Sequence, residues 1–129
     1  MENKRPTILI VEDNPLNLKL FQDVLSVHGY LTIADESGEL AFTLADDYHP
    51  DLIVVDMHLP HISGETLVKT LKQDDFLNEI PILAVTANAS QEIEESALEA
   101  GADHFLLKPF TIGTFVTIIQ GLIQGRKAA

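Results

Sequence analysis

Leu52-Ile53-Val54-Val55-Asp56 is a run of four large apolar residues that stops on a carboxylic acid. Successive side chains of a strand point to opposite faces, so an apolar run without polar alternation reads as a strand buried on both sides. Pro50 closes the segment before it. The loop after it, His58-Leu59-Pro60-His61-Ile62-Ser63-Gly64, is rich in turn residues. In open α/β sheets, ligands bind outside the carboxyl ends of the strands, so an acid at that tip is a candidate for chemistry.

Outward from this strand the same pattern recurs. Thr7 to Val11 is a second apolar run and ends on the acidic pair Glu12-Asp13. Asp13-Asn14-Pro15 then supplies a cap residue and an early-helix proline. Leu16, Leu20, Phe21, Val24 and Leu25 recur at helical spacing, with Gly29 as the stop. Leu31 to Ala34 reads as a strand. Ser37-Gly38 opens a helix carrying Leu40, Ala41, Leu44, Ala45 and Tyr48. Leu67, Val68 and Leu71 mark the next helix. Ile82 to Val85 is a strand that ends at Thr86. A helix follows from about Ser90 to Ala100, closed by Gly101. His104 to Leu107 is a strand that ends at Lys108-Pro109. Phe115, Val116, Ile119, Leu122 and Ile123 mark a last amphipathic helix. Five β-α units imply a parallel sheet with helices on both faces, and right-handed crossovers leave few topologies. One domain is expected over residues 6–124, with short tails at 1–5 and 125–129.

The 129 residues carry a net charge of −12, which repels nucleic acid and anionic lipid alike. No apolar run approaches the roughly 18 to 20 residues of a membrane span. There is no cysteine, hence no disulfide and no thiolate metal site. A cytoplasmic protein with no nucleic-acid or membrane partner is expected. Lys108 is the only Lys or Arg between Gln73 and Gly125: either a chance solvated lysine or a cation held for a specific anion, and its place between an apolar strand and Pro109 favours the second.

Glu12, Asp13, Asp56, Thr86 and Lys108 all fall at strand ends. Carboxylates converging there stay ionised together only if a cation sits among them. All-oxygen ligands point to a hard cation, with Mg²⁺ the natural choice. A metal, a lysine and a carboxylate suit phosphoryl transfer onto that carboxylate. Each residue also has a plainer reading. Asp13 could simply cap the following helix, and Thr86 could be a β-branched strand residue. The pair His58 and His61 is a weak transition-metal signal across a proline-containing loop.

Taken together, the motifs Ile10-Val11-Glu12-Asp13-Asn14, Asp51-Leu52-Ile53-Val54-Val55-Asp56-Met57-His58-Leu59-Pro60, Gly64, Ala84-Val85-Thr86-Ala87, Ala100-Gly101-Ala102-Asp103 and Lys108-Pro109-Phe110 resemble the receiver domain of two-component response regulators. The resemblance spans about Pro6 to Ile123. It implies a flavodoxin-like doubly wound (βα)₅ fold whose parallel sheet has the order 2-1-3-4-5. It implies Asp56 as acceptor of phosphate from a phosphohistidine on a histidine kinase or phosphotransfer protein. Mg²⁺ would be held by Asp13, Asp56 and the main-chain carbonyl of His58, with Glu12 acting through a metal-bound water. Lys108 would contact the phosphoryl oxygens and Thr86 would move in to bond them. Phe105 would be the aromatic switch, and the Lys108-Pro109 bond would be cis.

The same resemblance makes the chain a self-modifying phosphoacceptor rather than a turnover enzyme. Its signal would leave through the face made by the fourth helix, fifth strand and fifth helix. Glu92, Glu94, Glu95 and Glu99 give that face either an ordinary solvated side or a docking surface for a basic partner. Within the family, residues 11–21 and 71–75 look like stand-alone regulators of the DivK type. The alternatives are a receiver cut from a hybrid kinase or longer regulator, and an aspartyl-phosphate phosphatase. Departures from the family pattern are Phe105 in place of a tyrosine, His58 two after Asp56, and Asn88 two after Thr86.

Overall fold

The computed structural model describes residues 5–88 and 90–128, with the side chains of 126–128 left aside. Ten elements alternate: β1 Thr7–Val11, α1 Pro15–Val27, β2 Leu31–Asp35, α2 Ala41–Tyr48, β3 Leu52–Asp56, α3 Gly64–Gln73, β4 Ile82–Thr86, α4 Gln91–Ala100, β5 His104–Leu107 and α5 Ile112–Ala128. The strands form one parallel sheet in the order β2-β1-β3-β4-β5. This is the flavodoxin-like doubly wound topology that the receiver-domain resemblance implies. Every residue of β3 and β4 is buried, as continuous apolar runs require at the centre of such a sheet. The edge strands β2 and β5 are only partly covered.

Alternation along the strands divides the core in two. Leu9, Val11, Ile53, Val55, Ile82 and Ala84 face α2, α3 and α4, packing with Ala45, Leu67, Val68, Leu71 and Ala97. Ile8, Ile10, Leu52, Val54, Leu83 and Val85 face α1 and α5, packing with Leu18, Phe21, Leu25, Phe115 and Ile119. On that side Phe21, Phe110 and Phe115 stack with ring centroids 4.8 to 5.8 Å apart.

Helix boundaries follow local chemistry. Asn14, not Asp13, caps α1: its side-chain oxygen accepts from the amides of Leu16 and Asn17, and Pro15 opens the helix. The buried stripe of α1 is Leu18, Phe21 and Leu25. Leu16 and Leu20, expected on the core face, are exposed, because each lies two residues from Leu18 and so about 200° away around the helix.

The second helix starts later than Ser37-Gly38. The buried Asp35 holds the intervening turn instead: Oδ1 accepts from the Ser37 amide and hydroxyl, and Oδ2 from the Leu40 amide. Gly38 stands there with φ +85, and a Cβ on it would lie 2.7 Å from Ile62 Cγ2. Leu40 and Tyr48 flank α2 on its exposed side, so Ala41 and Ala45 alone of that helix are fully buried. The last helix continues past Ile123 through Ala128. Of the tails expected at 1–5 and 125–129, residues 1–4 and 129 lie outside the described residues.

Candidate phosphoryl-transfer site

The order β2-β1-β3-β4-β5 creates a switch point between β1 and β3, where successive connections run to opposite sides of the sheet. A crevice forms outside the carboxyl ends of those strands. Glu12 and Asp13 follow β1 directly, and Asp56 is the last residue of β3. Their carboxylate oxygens come within 4.8 Å of one another. Glu12 and Asp56 are buried and Asp13 is exposed. Among the described residues this is the one cluster of three or more acids and histidines able to converge on an ion. His58 and His61 take no part in it. His61 instead lies 3.5 Å from Glu39 on the neighbouring loop.

Lys108, directly after β5, reaches across the crevice. Its Nζ donates to Glu12 Oε1 at 2.6 Å and to Asp56 Oδ2 at 3.3 Å. Its amide donates to the Thr86 carbonyl at 2.7 Å, and the following bond to Pro109 is cis. The other oxygen of Asp56 accepts from the His58 amide at 2.8 Å, while Glu12 Oε2 accepts from the Asn14 amide at 3.2 Å. Each buried carboxylate thus has both oxygens engaged, as burial of charge demands. Thr86 is fully buried at the end of β4, and its hydroxyl oxygen accepts from the Asn88 amide at 3.1 Å.

Phe105 is not in the crevice. It is partly buried on β5 beside Ala84 and packs on the α2–α4 side of the core. The main-chain amide of His58 and the Asn88 amide are polar contacts that side-chain spacing could not have disclosed, because backbone donors carry no residue signature.

The charge balance is set by burial. Burial pushes the Glu12 carboxyl from 4.5 up to about 7; the bond from Lys108 opposes this and the nearby Asp56 carboxylate adds to it. Burial works against the charge of Lys108, but its bonds with Glu12 and Asp56 outweigh that and raise its pKa. A carboxyl whose folded value lies above its unfolded one contributes stability that is complete below about 4.5 and is lost as pH rises through about 7. Denaturation of the metal-free protein is therefore expected to show stability from this group declining across that window. Glu12→Gln should flatten the decline; an undiminished decline in that variant would exclude Glu12 as its source.

The donor set fits a hard divalent cation. Its members are all oxygen, and two are buried carboxylates whose charge a single ammonium only partly balances.

A family model described as the response regulator receiver domain matches residues 8–120. The polar-differentiation response regulator DivK of Brucella ovis is 42% identical over 117 residues, spanning 91% of this chain and 95% of that protein. Among solved structures, the receiver domain of a sensor histidine kinase from Pseudomonas aeruginosa, with a magnesium ion coordinated in its active-site cleft, is 32% identical. It has a TM-score of 0.87 and covers 94% of this chain and 99% of that one. The Vibrio cholerae chemotaxis protein CheY4 is 25% identical with a TM-score of 0.87, covering 92% of this chain and 99% of that one.

Proposed function

The chain belongs to the response regulator receiver domain family, and on that footing we propose that Asp56 is its phosphoacceptor, taking a phosphoryl group from phosphohistidine on a histidine kinase or phosphotransfer protein. The observation that carries this reading is the single ammonium of Lys108 lodged between Glu12 and Asp56 at the ends of three different strands. A strand-end carboxylate with a cation against one oxygen is already arranged for in-line attack on phosphorus. An oxygen–phosphorus bond forms to Asp56 as the phosphorus–nitrogen bond to the donor's imidazole breaks. Lys108 then has phosphoryl oxygens within reach as acceptors.

Glu12, Asp13, Asp56 and the His58 carbonyl would hold Mg²⁺. When bound, the ion supplies the positive charge that lets three carboxylates and a phosphoryl group share one crevice. The protein's own part is to aim Asp56 through the His58 amide, to place the Lys108 ammonium, and to offer the Thr86 hydroxyl from a buried strand end. Its product is a modified form of itself, so the chain acts as a signalling protein in a phosphorelay.

A histidine kinase or phosphotransfer protein as donor would suit a cytoplasmic location. No helix among the described residues is long and apolar enough to cross a membrane. Output would run through α4, β5 and α5, with Phe105 and Thr86 as the switch. The exposed Glu92, Glu94, Glu95 and Glu99 suit a basic partner, with an affinity that falls as salt is added.

The direct test is labelling with acetyl phosphate followed by intact-protein mass measurement. One phosphoryl group per chain is expected with Mg²⁺ present and none with the metal chelated. Metal-independent labelling, or no label under any condition, would remove the proposal.

A further inference from the structure

The two ends of α4 are attached to the rest of the molecule by different means. At its C-terminal end Ala97 and Ala100 are buried, and Gly101 turns the chain with φ +119. That turn is bolted down by Lys72. The Nζ of Lys72 donates to the Ile80 and Asn78 carbonyls at 2.9 and 3.2 Å and pairs with Asp103 Oδ2 at 2.9 Å. Asp103 in turn accepts from the Ile82 amide at 2.8 Å. Among the described residues, the first turn of α4 has nothing comparable. Gln91, Glu92, Glu94 and Glu95 are exposed, and Ile93 is only partly buried.

What joins that first turn to the sheet is a ladder of three bonds at two-residue spacing. The Asn88 amide donates to the Thr86 hydroxyl oxygen at 3.1 Å, the Ser90 amide to Asn88 Oδ1 at 2.8 Å, and the Glu92 amide to Ser90 Oγ at 3.2 Å. The lower rung is held by a fully buried threonine and the upper rung is the helix cap. Asn88 belongs to both the lower and the middle rung, its amide bonding the Thr86 hydroxyl and its side chain the Ser90 amide.

We propose that Asn88 is the positioning residue that couples the Thr86 hydroxyl to the first turn of α4. This rests on the reading of Asp56 as phosphoacceptor with Thr86 as the residue that turns toward the phosphoryl group. Threonine is β-branched and stiff at χ1, so its hydroxyl moves between discrete staggered positions rather than by small adjustment. Turning it toward a phosphoryl oxygen takes its oxygen away from the Asn88 amide. Because the Asn88 carboxamide grips the Ser90 amide, the displaced residue 88 carries the cap of α4 with it. The far end of the helix, bolted by Lys72 and Asp103, stays where it is. A local change of one hydroxyl rotamer becomes a change in the order of one helical turn, which is the low-stability part of that helix.

The test uses the whole chain with Mg²⁺ and beryllofluoride as the phosphoryl mimic, and follows amide hydrogen exchange along α4. Asn88 is exposed, so its variants should fold. In the parent protein beryllofluoride is expected to change exchange in the first turn of α4 while the amides near Ala97 to Ala100 stay unchanged. Asn88→Ala should bind beryllofluoride as before and lose the response in the first turn. Asn88→Ser, which keeps a short side-chain acceptor able to form the same two-residue turn, should restore it. A full response in Asn88→Ala, no rescue by Asn88→Ser, or a parent protein that binds without any response in α4 would each overturn the role of Asn88. A parent protein that does not bind beryllofluoride at all would overturn the phosphoacceptor reading, and this coupling with it.

Discussion

Asp56→Asn is expected to abolish labelling by acetyl phosphate while the protein keeps its fold. The replacement is nearly isosteric, and the amide oxygen can still accept from the His58 amide, which now bonds Asp56 Oδ1 at 2.8 Å. What disappears is the negative oxygen facing Lys108, the only plausible nucleophile among groups that share that ammonium, since Glu12 is tied to it more tightly at 2.6 Å and lies deeper. An amide is a poor nucleophile toward phosphorus, so the expected effect is complete loss rather than slowing. Stability should change little. Removing one partner of a buried ion pair is costly when the other charge is stranded, but here Lys108 keeps Glu12. Intact-mass measurement checks the chemistry and circular dichroism checks the fold. A label that persists at the parent level on another residue would show that Asp56 is not the acceptor.

Gly64→Ala is expected to destabilise the protein strongly. Gly64 is the first residue of α3 and packs against the end of β3. A Cβ there would lie 2.5 Å from Met57 Cα and 2.8 Å from the Asp56 carbonyl oxygen. Both are backbone atoms, so no side chain can swing away; either α3 or the end of the central strand must shift. Overpacking of this kind costs about 1 to 3 kcal/mol, and rigid backbone on both sides puts this case toward the upper end, about 3 kcal/mol. The displaced segment carries Asp56, so phosphoryl labelling should fall as well. Gly121→Ala is the matched contrast. Nothing lies within 4 Å of a Cβ at that position on α5, and a helix interior gains about 1 kcal/mol from alanine over glycine. Urea denaturation of the two variants should give shifts of opposite sign. A neutral Gly64→Ala would mean that the two elements do not press on each other as the structure has them.

The strands were readable because burial on both faces leaves an unambiguous mark: unbroken apolar runs over residues 8–11, 52–55 and 82–85. A helix capped by its own neighbours was readable too, as with Asn14-Pro15. The start of α2 was not, because the group that organises it is Asp35, several residues earlier and on a different element. Leu16 and Leu20 were misplaced for a related reason. Helical spacing says which residues share a stripe, but not which of two overlapping stripes the sheet covers.

Residue order along the chain by itself determined the alternating strands and helices, the residues standing at the strand ends, and the acidic, cysteine-free character of the protein. The meeting of Lys108 with Glu12, 96 residues away, was decided only when the sheet closed in the order β2-β1-β3-β4-β5. So were the raised carboxyl of Glu12, the grip of the His58 amide on Asp56, and the ladder from Thr86 to α4. Local pattern records what each residue does to its own segment, whereas desolvation and hydrogen bonding between segments depend on which surfaces the crossovers bring together.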